Sequence, residues 1–196
     1  MIYPNVKFGS VSADEVAINL CELAARIGAG LDYSNEKIEL CTKEFNKAAN
    51  YRYAYTEVTV AVTGNVCDFG FARVESRALA RVLCGCERAF FLAVSAGIGV
   101  DRLIARLEAI SKADAFFTDS IASAAIESFC DLICEKICEG VDCTKRFSPG
   151  YADLPLEFQP HLLERIASAQ SVGITLNSSL LMSPMKSITA IIGIKG

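Results

Sequence analysis

The stretch of this sequence with the most fixed chemistry is "RFSPGYADLP", residues 146–155. Arg146 carries a planar fork of donors that matches a carboxylate. Tyr151 carries an aromatic face. Pro149 and Pro155 restrict the backbone, and Gly150 permits a turn that a side chain would oppose. A rigid polar loop of this kind suits recognition of something small, and a plain helix-to-helix connector would use the same turn residues. Glu127 stands upstream in the apolar run "SAAIESFCDLI". A carboxylate there is costly to bury alone, so either the helix turns it to water or it faces a cleft and a cationic group. Arg146 and Glu127 together could hold a zwitterion, such as the amino-acid end of a ligand.

Three other groups could carry chemistry. Cys130, Cys134 and Cys138 recur every four residues and so share one helix face, Cys143 follows, and Cys84 and Cys86 form a C-G-C. A metal or iron–sulfur site would call for C-x-x-C pairs or histidines, and the chain has no such pair and a single histidine. A thiol-lined core seam is the expectation. His161, the sole histidine, would have to serve any Ser/His/Asp or Cys/His unit, but no nucleophile elbow accompanies it, and a surface or partly buried imidazole is expected. The turn "SAGIGVD", residues 95–101, lacks the G-x-G-x-x-G run and the phosphate-loop lysine, and a strand-to-helix turn explains it.

The elements that must position these residues follow from periodicity. "SADEVAINLCELAARIGAG" predicts a helix with Ser12 and Glu15 at capping-box spacing and Gly28 and Gly30 as its stop. "SNEKIELCTKEFNKAANY" predicts a helix with Ile38, Cys41 and Phe45 on one face. "YRYAYTEVTVAVTG" predicts a strand, and "CDFGFARV" a short extended piece. Ser76 is placed to cap the helix "RALARVLCGC". "RAFFLAVSAG" carries a continuous apolar run and predicts a buried strand. "GVDRLIARLEAIS" predicts an amphipathic helix, and residues 112–140 a long helix crossing the interior. "PLEFQPHLLERIASA" predicts a helix broken by Pro160, and "GITLNSSLLM" and "SITAIIGI" predict two closing strands. The elements do not alternate strictly as βαβ, so the expected architecture is one α/β domain of the α+β type, residues 1–196, with a mixed or mostly antiparallel twisted sheet flanked by helices.

Composition narrows the function classes. The 196 residues are 52% hydrophobic and 21% charged, a globular balance. The net charge of −4 argues against a general nucleic-acid binder. No apolar run is long enough to span a membrane, and the start lacks a signal-peptide pattern, so no membrane association is expected. These features point to the cytoplasm, where most of the nine cysteines would be free, buried thiols.

R-x-x-x-G-Y at Arg146, Gly150 and Tyr151, with Ser148 and Pro149 between, resembles the S-adenosylmethionine-binding signature of the activation (reactivation) domain of cobalamin-dependent methionine synthase. "LAVSAGIGVDRLI", "IASAAIESFCDLICEKI", "RFSPGYADLPLEFQ" and "GITLNSSLLMSPMKSITAIIGI" resemble that domain in the same order, the last with the polar turns "LNSS" and "MSPMKS". The resemblance covers residues 75–196 well and the first 70 weakly. It implies a twisted, mostly antiparallel sheet with helices. It also implies reductive methylation of inert cob(II)alamin, with a methyl from S-adenosylmethionine and an electron from a flavodoxin-like donor. In that reading Arg146 clamps the ligand carboxylate, and Glu127 attracts its ammonium or a ribose hydroxyl. Tyr151 lies near the adenosine or the sulfonium, and Gly150 admits close backbone approach.

There are departures from the family. Only "CEGVDCTK" separates the long helix from Arg146, so the family's second acidic residue has no clear counterpart beyond a guess at Glu139. The cobalamin motif D-x-H-x-x-G is absent. The resemblance therefore implies a compact free-standing relative, without complete activity alone, acting on a separate cobalamin-carrying methionine synthase. A docking module that no longer binds S-adenosylmethionine is one alternative. A cysteine-based metal or redox protein is another.

Overall fold

The computed structural model describes residues 5–28 and 36–196. Their order is β1 (Lys7–Val11), α1 (Leu20–Ile27), α2 (Glu36–Ala48), β2 (Tyr51–Thr59), β3 (Ala61–Thr63), β4 (Val66–Asp68), β5 (Arg73–Glu75), α3 (Arg77–Val82), β6 (Cys86–Ser95), α4 (Ile98–Ile110), α5 (Lys112–Ile137), α6 (Gln159–Arg165), α7 (Ser168–Ser171), β7 (Thr175–Leu176), β8 (Met182–Ser183) and β9 (Ser187–Lys195). A four-stranded sheet in the order β1-β2-β6-β9 forms the framework, with a three-stranded sheet β3-β4-β5 and the hairpin β7-β8 beside it. All these pairings are antiparallel. This is the expected α+β arrangement of antiparallel sheets flanked by helices.

The main sheet is covered on both faces, which explains why β6 reads as an unbroken apolar run. Phe90, Leu92 and Val94 point to one core with α1, α2, α4 and α5. Ala89, Phe91 and Ala93 point to the other, against α3, α6 and the small sheet. Over Ala89–Val94, strand alternation thus sends every second residue to a different core, and neither face is left for polar side chains. Each fully buried Phe or Leu there contributes roughly 1.5–3 kcal/mol. The helical face Ile38, Cys41 and Phe45 is buried as read. Helix α5 runs through the first core, with Ile121, Ala122, Phe129 and Ile133 at zero exposure.

Several elements differ from expectation. The capping box at Ser12 and Glu15 closes only a single 3-10 turn, Ala13–Glu15. The chain then extends until Asn19, whose side chain accepts from the N–H groups of Cys21 and Glu22 and starts α1. Gly28 ends α1 as read, while Gly30 lies outside the described residues. The first strand, β1, was not foreseen. The expected strand over residues 51–64 divides after Thr59, because the Val60 N–H turns to the Glu87 carbonyl. Residues 67–74 form part of a hairpin, β4 and β5. Pro160 does not break a helix: it lies in the first turn of α6, where a missing N–H costs nothing. "GITLNSSLLM" is not one strand: it holds the two-residue strand β7, a turn in which the Asn177 side chain accepts from the N–H groups of Ser179 and Leu181, and the first residue of β8, Met182.

The turn at Gly97 and Gly99 has a packing reason. A Cβ at Gly99 would lie 2.5 Å from the Ala48 carbonyl oxygen, so the start of α4 can approach the end of α2 only without one. Among the described residues no helix is long and apolar enough to cross a membrane.

Candidate functional site

The site is built on the outer edge of β9. There the chain after α5 runs alongside the strand, bridged at Cys143–Ile194 and Phe147–Ile191. Phe147 and Ile191 exchange backbone hydrogen bonds of 2.9 and 2.7 Å. The segment spends four steps, Cys143 to Phe147, against three on β9, Ile194 to Ile191. The extra residue changes the face that the chain presents. Cys143 therefore packs on the α5 side, and Phe147 enters the opposite core. Arg146, next to Phe147, is thereby turned toward α5, and Glu127 waits there.

The Arg146 Nη2 donates to Glu127 Oε2 at 2.6 Å, and its Nε donates to Asp131 Oδ1 at 3.2 Å. The side chains of Arg146 and Glu127 keep 30% and 31% exposure, and that of Asp131 keeps 62%. Burial works against the guanidinium charge, but the carboxylate of Glu127, hydrogen-bonded to it, and that of Asp131 outweigh it and hold the arginine above its ordinary range. Asp131 was not singled out from the sequence. Its signal was the four-residue spacing from Glu127, which puts both carboxylates on one face of α5.

The loop that follows is pinned at both ends. The Ser148 hydroxyl donates to the Thr189 carbonyl at 2.7 Å, while the Gly150 N–H donates to the Leu154 carbonyl at 2.9 Å. Gly150 sits at φ +83, a conformation that L side chains rarely adopt, and its missing Cβ would meet Leu156 at 3.3 Å. Leu154 is buried in the second core. Asp153 accepts from the Ser76 hydroxyl at 2.6 Å and from the N–H groups of Arg77 at 2.8 Å and Ala78 at 3.1 Å. Ser76 itself caps Leu79 N–H at 3.1 Å, as its position predicted. The carboxylate of Asp153 thus ties the loop to the start of α3. Tyr151 is left 68% exposed, its ring edge-on to Phe147 at 5.5 Å.

Two cavities meet at the Arg146–Glu127 pair. The larger, about 830 Å³, is lined by Asp131, Cys134, Cys138, Lys145 and Tyr151 among others. The smaller, about 300 Å³, is lined by Pro149, Gln159, Leu181, Met182 and Thr189 among others. Glu127, Arg146 and Ser148 line both. The structure therefore brings the R-x-x-x-G-Y segment together with the terminal segment, which is distant in sequence. Of the residues singled out, Glu127, Arg146, Ser148, Pro149 and Tyr151 border these cavities, and Gly150 forms the turn between them. Glu139 is exposed and borders neither. His161 is exposed on α6, its ring 5.8 Å from Phe158, and also borders neither.

The cysteines are only partly a core seam. All nine are free thiols; Cys41, Cys67, Cys86 and Cys130 are buried, whereas Cys134, Cys138 and Cys143 are half-buried and Cys21 and Cys84 exposed. Four of nine buried is fewer than expected, because α5 turns Cys134 and Cys138 toward the larger cavity. The hydrogen bond with Cys134, with burial, pushes Cys130 up. The same hydrogen bond, with the Arg146 charge, pulls Cys134 down against burial. Burial and a hydrogen bond with Cys143 push Cys138 up to about 12. Among the described residues no group of three or more His, Cys, Asp or Glu could hold a metal ion.

No protein-family model and no curated protein sequence matches the chain. The fold does have a counterpart among solved structures. The crystal structure of the MetH reactivation domain bound to AdoHcy aligns over 98% of this chain and 81% of its own, with a TM-score of 0.69 and 14% identity. The likeness spans the N-terminal part as well as the segments whose order suggested it. This chain is therefore similar in fold, over nearly its whole length, to the reactivation domain of MetH.

Proposed function

We propose that the cleft at Arg146 binds S-adenosylmethionine and that the chain acts as a reactivation partner for a cobalamin-dependent methionine synthase. The observation that carries this reading is the meeting of Arg146, Glu127 and Asp131 where the loop and the terminal segment converge. The fold likeness to a domain solved with AdoHcy, the demethylated form of S-adenosylmethionine, supports it.

The residues fit such a ligand. The two cavities lie within or near the roughly 300–1,000 Å³ range of small-molecule sites. Two carboxylates and a guanidinium side by side suit an amino-acid end with both signs of charge. Arg146 would take the ligand carboxylate by shifting its fork from Asp131, the more exposed partner, while Glu127 stays close for the ammonium or a ribose hydroxyl. Tyr151, exposed and propped by Phe147, is free to cover the adenosine or face the sulfonium. Ser148, committed to the Thr189 carbonyl, positions the loop. Gly150 keeps the turn open to backbone approach.

S-adenosylmethionine would supply the methyl group, a flavodoxin-like donor the electron, and a separate synthase the cobalt. The chain would contribute orientation, holding the methyl in line with its acceptor, and needs no general acid or base for that. The cytoplasm is the compartment where such partners meet. The test mixes this chain, a reductant and S-adenosylmethionine with inactive cob(II)alamin synthase. Recovery of the methylated enzyme only when this chain is present supports the reading. No recovery with a cognate synthase and a competent donor favours a docking-only role.

A further inference from the structure

We propose that Lys186 is a positioning residue for the cleft: it docks the terminal loop on the same stripe of α5 that holds Arg146, and so fixes the wall opposite Arg146. The effect on a ligand rests on the cleft being a binding site; the docking itself does not. Asp119, Ser123, Glu127 and Asp131 recur every four residues along α5, each about 6 Å further along the axis than the last. Arg146 takes the last two of them, Glu127 and Asp131. Lys186 takes the first two: its Nζ pairs with Asp119 Oδ1 at 2.7 Å and donates to the Ser123 hydroxyl at 2.9 Å. Two cations from loops distant in sequence are therefore seated on one helix, and their nearest seats, Ser123 and Glu127, are one turn apart.

The terminal loop has little apolar burial to hold it. Of residues 177–186 only Pro184 is buried, and Leu181 and Met185 keep 59% and 72% exposure. Polar ties place it instead. The Met185 N–H donates to Asp101 Oδ2 at 2.8 Å, in the first turn of α4, and the Lys186 carbonyl accepts from the Ala96 N–H at 2.9 Å. The Lys186 ammonium is the tie to α5. Its side chain keeps 12% exposure, against 47% for Asp119. An ammonium so far withdrawn from water needs partners for its donors, and the carboxylate and the hydroxyl supply two.

The wall that this loop builds faces Arg146. Leu181, Met182 and Ser187 line the smaller cavity together with Arg146 and Glu127, whereas Lys186 itself borders neither cavity. Lys186 would thus act on a ligand only through the loop, by keeping that wall in place relative to the guanidinium.

Hydrogen exchange of the ligand-free chain tests the docking, and titration with S-adenosylmethionine tests its effect. Lys186→Met keeps the apolar stem and removes the charge. Asp119→Asn removes the half-exposed carboxylate instead, and serves if Lys186→Met does not fold. Either variant should speed exchange in residues 177–187 and leave β2 and β6 as protected as before. Either should weaken S-adenosylmethionine binding roughly three- to tenfold, with Lys186→Arg losing less than Lys186→Met. Exchange unchanged in residues 177–187, or raised evenly through β2 and β6, overturns the docking. Affinity unchanged in a variant whose loop exchanges faster overturns the positioning role. No binding by the unsubstituted chain contradicts the reading of the cleft, and the effect on a ligand with it, while the exchange still decides whether Lys186 docks the loop.

Discussion

The guanidinium of Arg146 and the carboxylate of Glu127 meet at 2.6 Å across the gap between the loop and α5, 19 residues apart in sequence. With about a third of each side chain exposed, the pair is neither sealed in the core nor spread in solvent. It closes the space between two cavities, so a ligand that enters must compete with it or join it.

Replacing Arg146 should therefore show in ligand affinity first. Arg146→Ala removes a charge-assisted fork and should cost on the order of 1.5–3 kcal/mol, roughly ten- to a hundredfold in S-adenosylmethionine affinity. Arg146→Lys should recover only part of this, because an ammonium cannot reproduce the fork. Titration calorimetry of the three proteins checks the order; equal affinities would remove Arg146 from the site.

The two carboxylates should differ in weight. Glu127 is the closer and less exposed partner, whereas Asp131 is 62% exposed and bonded at 3.2 Å. Glu127→Gln should thus weaken binding by roughly 1.5–3 kcal/mol and Asp131→Asn by roughly 0.2–1 kcal/mol. An equal or reversed loss, measured by the same titration, would place the ammonium elsewhere.

Much of this fold is legible in the sequence wherever one element satisfies its own pattern. The face of Ile38, Cys41 and Phe45, the cap at Ser76 and the apolar run Ala89–Val94 within β6 are local signals, and each element forms. Strand β1 is not legible in the same way. "KFGSV" is short, with glycine at its centre, and it becomes a strand by pairing with distant residues on β2, from Lys7 with Tyr55 to Val11 with Tyr51. The loop around Arg146 shows its turn chemistry locally. Its direction depends on the extra residue between Cys143 and Phe147, a feature of pairing with β9 that residue types do not reveal. Asp131 was passed over because a lone aspartate on a helix ordinarily faces water; only the approach of Arg146 gives it a role.

Phe147 is the support that aims Arg146. Its side chain is buried in the second core, and its backbone is bonded to Ile191 on both sides. Phe147→Ala should cost about 3–5 kcal/mol of folding stability. Ligand affinity should fall as well, since Tyr151 loses the ring it leans on. Urea denaturation followed by titration at low denaturant separates the two effects. A stability loss with affinity unchanged would mean that the loop holds its aim without this anchor.

Asp153 gives the loop a pH dependence. The Ser76 hydroxyl, then the N–H groups of Ala78 and Arg77, hold its carboxyl below the usual range against desolvation. A carboxylate with a lowered folded value stabilises fully above its unfolded value, near about 3.9, and this contribution disappears as pH falls through the folded value. The gap in Tm between the unsubstituted chain and Asp153→Asn should be largest at about pH 6 and shrink toward about pH 3. A gap that stays constant over that range would show that the charge of Asp153 does not hold the loop to α3.

The central claim is that this cleft takes S-adenosylmethionine. Isothermal titration of the folded chain with S-adenosylmethionine tests it most directly. Saturable binding at one site per chain, weakened by Arg146→Ala in a variant whose circular dichroism is unchanged, is the expected result. No binding by the folded, unsubstituted chain, or binding that Arg146→Ala leaves intact, would contradict it.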